Sequence, residues 1–456
     1  MILFLFYCAI AVFTIIFFNG TADNGDSISH YLYARYAPQH PELFFDLWAK
    51  PLFVFLACPF AQIGFAGMKI FNALATLLTI WFTWKTARCL KMDNSRTAII
   101  LMIFTPYYYV ITFSGLTEPL FALFVSVILF LAVSRKYTAA AVFASLIPFV
   151  RSEGLIILGV FAFYLMYKKQ WKQLLLLPAG HLFFMVAGYF VHHNFLWVFS
   201  ENPYAKLYST YGSGSLIHFV VKMLYVTGVP IYGLFILGCI KTAWLGIKNR
   251  ISSEMAILVF LGFSAYFIAH TLFYYLGIFN SMGLYRVLIG VMPMIALISL
   301  SGFELLSKDI VRNRKWQKII TFSILVLVIV FPFLKNRAAI NWEKDMYLGY
   351  DQEAARLISP TIKQNETPDC CFLYASPYFS ITLGNDYFDP ERHKFVTLEN
   401  IKNMKQDDIL IWDWWFSVVE YGVPLESVDT DSSLVKITSI NKEKNDGVMY
   451  SVYRKK

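Results

Sequence analysis

The chain has 456 residues, of which 57% are hydrophobic and only 15% are charged, and its formal net charge is +9. Soluble domains carry about 25% charged residues, so this composition, with its many long apolar runs, excludes an ordinary soluble protein and indicates a polytopic membrane protein. The basic residues lie mainly in short loops between apolar runs, which marks membrane topology and does not predict nucleic acid as a partner. Six scattered cysteines predict no disulfide framework, and no His or Cys spacing predicts a metal site.

Apolar runs predict about eleven membrane crossings. The first, residues 2–18, is an uncleaved span because it lacks a basic leader and a small-residue cleavage site. A polar segment, residues 19–50, follows it, and residues 51–64 are apolar but short and are predicted to lie at the membrane surface. The other ten spans are residues 68–84, 97–113, 119–133, 138–150, 155–167, 174–191, 216–240, 255–275, 284–300 and 319–333.

Charge fixes the expected orientation of these spans. The loops that face the cytoplasm if the N-terminus is cytoplasmic hold about twice as many Lys and Arg as the membrane-flanking loops on the other side. The N-terminus is therefore predicted inside, and the segment of residues 19–50 outside. An odd number of crossings then places the C-terminal region outside as well, and the short loops favour a bacterial inner membrane.

From about residue 335 the apolar runs shorten to strand length and Asn, Asp and Pro become frequent. This change predicts a membrane domain of residues 1–334 and a small extracytoplasmic α/β domain of residues 335–456. The candidate strands are residues 371–374, 395–398, 409–412 and 448–453, and the candidate helices are residues 350–358 and 398–404. Trp412, Trp414 and Trp415 are typical of a carbohydrate-stacking surface and equally of packing at the membrane interface.

Asp26 follows the first span almost at once and heads the polar outer segment. It has two interpretations: a catalytic base, or the N-cap of a helix that begins at Ser27. His30 and Asp46 lie in the same segment and are candidate substrate-binding residues, although each alone is also typical of a structural role.

Four further ionisable residues adjoin apolar runs, where charge is costly and usually has a reason. Glu118 precedes Pro119 and either binds substrate or complements a helix dipole. Arg151 and Glu153 lie at the outer end of a span and form either a local pair or part of a site. Arg286 is a lone outer-side arginine that opens an apolar run. Together with Asp26, these residues are predicted to meet at one surface and to suit a lipid phosphate, because Arg binds phosphate through a planar fork.

The order of these motifs resembles the GT-C superfamily of polytopic glycosyltransferases that use lipid-phosphate sugars. The elements are "NGDSISHYLYARY", "KPLF", "TEPLF", "RSEGLIIL" and "YRVLIGVMPMIAL", and they cover the region up to about residue 333. The "DS…H…A" and "EPLF" forms are most similar to the mannosyltransferase branches. Ser27 after Asp26 departs from the Asp-Glu pair of the protein mannosyltransferase and aminoarabinose transferase branches, which weakens assignment to either.

The resemblance implies inverting transfer of a sugar, with a mannose-like hexose favoured, from a polyprenyl-phosphate donor to a hydroxyl of a glycan, lipid or protein acceptor. Asp26 would deprotonate the acceptor, and Arg151 and Arg286 would stabilise the phosphate charge that develops. Glu118 would bind sugar or acceptor hydroxyls, and Tyr285 would contact substrate beside Arg286. No metal or other cofactor is expected to be required.

Two alternatives remain. Buried charges also mark the pathways of transporters, so a flippase of lipid-linked saccharide is the second hypothesis. Charges near mid-span and an inverted repeat would favour it. A non-catalytic subunit that retains the fold is the third, and replacing Asp26 by Asn would discriminate it from an enzyme.

Overall fold

The structure, a computed structural model, describes residues 2–204, 208–311, 313–334, 340, 348–441 and 447–456. The first part is a helical membrane region, and the second part is a small α/β unit. The predicted domain boundary at residue 335 lies outside the described residues, so the division into residues 1–334 and 335–456 stays a prediction.

The membrane region consists of sixteen described α-helices and six short segments of 3-10 or π-helix. The α-helices are α1 (Ile2–Phe17), α2 (Asp26–Tyr36), α3 (Pro51–Ala61), α4 (Phe65–Cys89), α5 (Thr97–Ile103), α6 (Pro106–Thr112), α7 (Glu118–Val133), α8 (Tyr137–Leu146), α9 (Gly154–Tyr167), α10 (Trp171–Leu174), α11 (Ala179–His192), α12 (Trp197–Ser200), α13 (His218–Ile247), α14 (Gly262–Leu276), α15 (Met292–Glu304) and α16 (Arg314–Val330). The 3-10 segments are Pro41–Phe45, Ile147–Phe149, Tyr285–Val291 and Phe331–Phe333, and the π-helical segments are Glu254–Leu261 and Leu305–Asp309.

Six helical stretches of the described chain are long and apolar enough to cross a membrane. They are Phe65–Cys89, Trp171–His192, His218–Ile247, Glu254–Leu276, Tyr285–Asp309 and Arg314–Phe333. Five shorter apolar helical stretches accompany them, among them α3, whose 11 residues span only about 16 Å at 1.5 Å per residue. The exact number of crossings therefore stays a prediction.

The predicted span of residues 97–113 is broken into α5 and α6. Pro106 disfavours helical geometry in the residue before it, and Thr105 accordingly has extended backbone angles of φ −75° and ψ 112°. Both short helices are buried, so surrounding helices cover the break.

The 3-10 segment that begins at Tyr285 and the helix α15 that continues it form the centre of the bundle. Every residue of α15 is buried, and the helix packs against α13, α5 and α4. By contrast, most of α16 faces outward, as expected of a helix that contacts lipid. The central position of α15 fixes Arg286 at the N-terminal end of the most enclosed element.

The α/β unit contains a five-stranded sheet in the order β2-β1-β3-β5-β4. Its strands are β1 (Phe372–Tyr374), β2 (His393–Lys394), β3 (Ile409–Asp413), β4 (Leu434–Asn441) and β5 (Val448–Lys455). β1 pairs in parallel with β2 and β3, whereas β5 pairs antiparallel with β3 and β4. Its helices are α17 (Tyr350–Gln364), α18 (Tyr378–Leu383), α19 (Leu398–Lys402) and α20 (Leu425–Asp429).

One predicted strand, residues 395–398, is wrong, and two observed strands, β2 and β4, are not among the predicted ones. The pairing near Phe395 ends at Lys394, because Thr397 accepts a hydrogen bond from the Asn400 amide and caps α19. β4 was not predicted, since Lys, Thr and Ser interrupt its apolar residues and it lies at the edge of the sheet. Trp412 is buried in this unit and its indole donates to the Val423 carbonyl, so it is not part of an exposed stacking surface.

Candidate active site

Asp23 and Asp26, two acidic residues at the start of α2, have different roles. Asp23 Oδ1 accepts hydrogen bonds from the amides of Gly25 at 3.0 Å and Ser27 at 3.1 Å, which is the role of a helix cap. Asp26 is the first residue of α2 and makes no capping bond. The capping alternative for Asp26 is therefore wrong, and its carboxylate, 41% exposed, lines a cavity instead.

Arg286 joins three carboxylates. Its Nη1 donates to Asp23 Oδ2 at 2.6 Å, its Nη2 pairs with Asp26 Oδ2, and its Nε lies 3.3 Å from Glu118 Oε1. The side chain of Arg286 is only 8% exposed, so these contacts compensate the cost of burying its charge.

Glu118 extends this network to a second arginine. Glu118 is fully buried, and its Oε1 lies 2.8 Å from Nη1 of Arg151. Arg151 also contacts Glu153 Oε1 at 2.8 Å and donates to Thr117 Oγ1 at 2.8 Å. The predicted local pair of Arg151 and Glu153 therefore exists, within a continuous chain of charges that runs from Asp26 to Glu153.

This chain of charges lies at the starts of helical segments. Asp26 and Glu118 are the first residues of α2 and α7, Glu153 directly precedes α9, and Arg286 is the second residue of its 3-10 segment. The positive ends of α7 and α9 stabilise the two glutamates. Burial raises the pKa of Glu153, but the attraction of Arg151 outweighs burial and lowers that pKa to about 2.

A cavity of about 400 Å³ opens beside this network. Its lining combines charged and apolar side chains, as does a site for an amphipathic ligand. The charged lining residues are Asp26, Lys50, Arg151, Glu153 and Arg286. Apolar lining residues include Leu155, Ile156, Phe219, Phe273, Leu284 and Val287.

Lys50 is a cavity residue that the sequence did not single out, except as part of the "KPLF" motif. Its Nζ donates to the Leu47 carbonyl at 2.9 Å and to Ser152 Oγ at 3.0 Å, and it lies 4.2 Å from the ring centroid of Tyr204. Lys50 is 6% exposed. This burial lowers the pKa of Lys50 to about 7, although Glu153 opposes the change.

His30 also lines the cavity. Its ring stacks on Trp48 with 4.8 Å between centroids and meets the edge of Phe53 at 5.4 Å. Burial, assisted by the positive charge of Lys50, lowers the pKa of His30 well below its usual value, so the imidazole is neutral at pH 7. Among the described residues its Nδ1 has no hydrogen-bond partner.

Three predicted substrate-binding residues do not line the cavity. Asp46 Oδ1 accepts from the Ala49 amide at 2.7 Å and stabilises a turn. Tyr285 packs on Tyr107, with 4.6 Å between ring centroids. Glu118 is fully buried and contacts both arginines. The substrate-binding roles of these three residues stay predictions.

Beyond Lys50, sequence reasoning missed Asp23 and His270. Asp23 resembles any loop aspartate, and only its position three residues before Asp26 hints at a shared site. His270 lines the cavity from α14, and no hydrogen-bond partner of its Nε2 is present among the described residues. A histidine within an apolar span is the sequence feature that could have identified His270.

The described residues contain no group of three or more His, Cys, Asp or Glu placed to hold a metal ion, and the expectation of metal independence stays a prediction.

No protein-family model matches the sequence, and no curated protein matches it. The chain is similar to the crystal structure of ArnT from Cupriavidus metallidurans in the apo state, with a TM-score of 0.67 and 11% identity over 99% of this chain and 97% of that one. It is also similar to ArnT from Cupriavidus metallidurans bound to undecaprenyl phosphate, with a TM-score of 0.61 and 12% identity over 98% of this chain and 97% of that one. At such identity the similarity shows the fold over nearly the whole chain. The mannosyltransferase branch and the membrane orientation stay predictions. The chain is an integral membrane protein with the GT-C fold.

Proposed function

We propose that this protein is an inverting glycosyltransferase that moves a sugar from a polyprenyl-phosphate donor to an acceptor hydroxyl. The observation that carries the proposal is the cavity, which Asp26 and three cationic side chains line together with apolar residues. A transporter is less well supported, because the charges lie at helix starts and the described residues at mid-span form no comparable cluster.

The donor phosphate lies against the cationic side chains of the cavity. Lys50, Arg151 and Arg286 supply one ammonium and two guanidinium groups, which stabilise a phosphate more strongly inside an enclosed site than in water. The first isoprene units lie along apolar side chains of the same cavity. The similar fold of ArnT, which has been crystallised with undecaprenyl phosphate bound, supports this donor class.

Asp26 is the general base of the proposed reaction. Its carboxylate takes the proton of the acceptor hydroxyl as the oxygen forms a bond to the anomeric carbon. The bond from that carbon to the phosphate oxygen breaks, polyprenyl phosphate leaves, and the anomeric configuration inverts. The neutral imidazole of His30 can accept a hydrogen bond from a substrate hydroxyl in the same cavity.

The finer assignments rest on the motif pattern. The "DS…H…A" and "EPLF" forms support a mannose-like hexose, and the charge distribution of the loops supports transfer at the extracytoplasmic face of a bacterial inner membrane. A glycan, a lipid and a protein all offer the hydroxyl that this chemistry needs.

The test is sugar transfer by purified protein in liposomes that contain a panel of labelled polyprenyl-phosphate hexoses and a membrane extract as acceptor source. Asp26→Asn should lower the turnover rate by about 10²–10⁴-fold, because loss of a general base has that effect, while undecaprenyl phosphate still binds. Glu42→Gln changes a carboxylate of the same segment that is 59% exposed, and it should leave turnover unchanged. Full activity of Asp26→Asn would exclude Asp26 as the base. Movement of the labelled lipid across the bilayer without a new covalent product would support a flippase instead.

A further inference from the structure

Asp23 uses its two carboxylate oxygens for two different purposes. Oδ1 accepts from the first amides of α2, and Oδ2 accepts from Arg286 Nη1 at 2.6 Å. Asp23 therefore connects the helix that carries Asp26 to the arginine that pairs with Asp26. Its side chain is 28% exposed, so the contact with Arg286 is only partly screened by water.

We propose that Asp23 is a positioning residue that shares the Arg286 guanidinium with Asp26 and thereby leaves the Asp26 carboxylate able to accept the acceptor proton. This inference rests on the proposed function. Arg286 alone would hold Asp26 in a tight ion pair, which opposes proton transfer to its carboxylate. Asp23 draws part of that positive charge to itself, through a separate nitrogen of the same guanidinium.

The charges around Asp26 support this arrangement. Arg286 contacts Asp26 directly, Lys50, Tyr204 and Tyr211 interact with it electrostatically, and Asp23 and Glu118 contact the same guanidinium. Of these, Asp23 is a carboxylate that contacts the same guanidinium and also belongs to the same turn as Asp26. Removing its charge changes the electrostatics at Asp26 without removing a group that touches the cavity, because Asp23 does not line it.

The test is the pH profile of sugar transfer by Asp23→Asn. Asparagine retains an oxygen that can cap α2 but loses the charge that competes for Arg286. We expect turnover to fall about tenfold and the acidic limb of kcat/KM to move to lower pH by about one unit, because Arg286 then acts on Asp26 alone. Undecaprenyl phosphate should bind at least as tightly as to the wild type, because one negative charge near the cationic side chains is gone.

Asp386→Asn is the matched control. Asp386 also accepts a hydrogen bond from a turn amide, that of Phe388 at 2.9 Å, and its other oxygen lies 2.9 Å from His40 Nε2, but it is outside the cavity lining. Asp386→Asn should leave the acidic limb of the kcat/KM profile at its wild-type pH. If Asp23→Asn fails to fold, Asp23→Ser provides the same test, since serine also caps helices.

A loss of turnover with an unmoved acidic limb would show a merely structural role and overturn the inference. Wild-type turnover and an unchanged profile would overturn it as well. Failure of the proposed function is a separate outcome, because it shows in the wild type and in Asp26→Asn and does not depend on Asp23.

Discussion

Lys50 places a buried ammonium group in a cavity that two guanidinium groups also line. Because burial lowers the pKa of Lys50 to about 7, this side chain changes charge within the physiological range. A bound phosphate favours the protonated form, so binding above pH 7 requires proton uptake by the lysine.

We therefore expect the affinity for undecaprenyl phosphate to fall as the pH rises from 7 to 9, by about tenfold per pH unit at most. The phosphate itself is already mainly dianionic there, so its own ionisation does not cause the change. Titration of intrinsic fluorescence with undecaprenyl phosphate in detergent measures the affinity. Lys50→Met should remove the pH dependence, whereas Lys222→Met, which changes a lysine outside the cavity lining, should retain it. A wild-type affinity that stays constant over this range would contradict the assignment of Lys50 to the phosphate.

Some residues of the candidate site can be predicted from the sequence, and others cannot. Glu118, Arg151 and Arg286 stand out because charge beside an apolar run is costly, and all three are indeed in the buried network. Lys50 and Asp23 lie in a polar segment where any charge looks solvated. Their burial or pairing arises only when that segment folds back onto the bundle, and no local pattern encodes that step.

The position of α2 depends on its close contact with the turn before α7. A Cβ added at Gly115 would lie 2.0 Å from the carbonyl oxygen of Ser27, a distance that backbone cannot accommodate. The Gly115 amide also donates to Ser27 Oγ at 2.8 Å. The two elements that carry Asp26 and Glu118 therefore meet backbone to backbone.

Gly115→Ala should displace the first turn of α2, reduce sugar transfer by about 10²-fold and lower the unfolding temperature, because Asp26 moves relative to Arg286. The rate of transfer and a thermal unfolding curve of the purified protein measure these two effects. Gly159→Ala is the matched control, since a Cβ there meets nothing within 4 Å. Wild-type turnover of Gly115→Ala would show that the contact does not position Asp26.

The positions of helices and strands can be predicted from the sequence where a single physical effect decides them. Long apolar runs correctly locate helices such as α13 and α14, because burial of their side chains in a membrane decides the outcome. The break between α5 and α6 shows a competing signal, as the local effect of Pro106 ends one helix inside an apolar run. β4 could not be predicted, because an edge strand exposes most of its side chains and its sequence therefore lacks a clear alternation of apolar and polar residues.

The α/β unit contacts the segment that carries Asp26 at two places. Near the start, Asn24 donates to Asp351 at 2.7 Å, and Gln352 donates to Thr21 Oγ1 at 2.7 Å. Towards its middle, Tyr36 donates to the Asn385 carbonyl at 2.9 Å. These hydrogen bonds attach residues 19–50 to the α/β unit as well as to the helical bundle.

Gln352→Ala should weaken this attachment by about 1–2 kcal/mol, because Gln352 is 1% exposed and Thr21 loses a buried partner. Since the Thr21 carbonyl also accepts from Ser27 in α2, turnover should fall several-fold while the α/β unit stays folded. Kinetics and limited proteolysis of the full-length protein measure the two quantities. The control is Gln364→Ala on the same helix, where the side chain is exposed. Unchanged kinetics for Gln352→Ala would mean that the unit does not support the site.

The strand order of the α/β unit also has a consequence for biosynthesis. β5 follows the other four strands along the chain, yet it lies inside the sheet between β3 and β4. Until β5 is made, β3 presents an unpaired edge and β4 has no neighbour, which are conditions that favour misassociation with other chains. This unit therefore completes its sheet only after β5 has been made, and its contacts with residues 19–50 are fully supported only from that point.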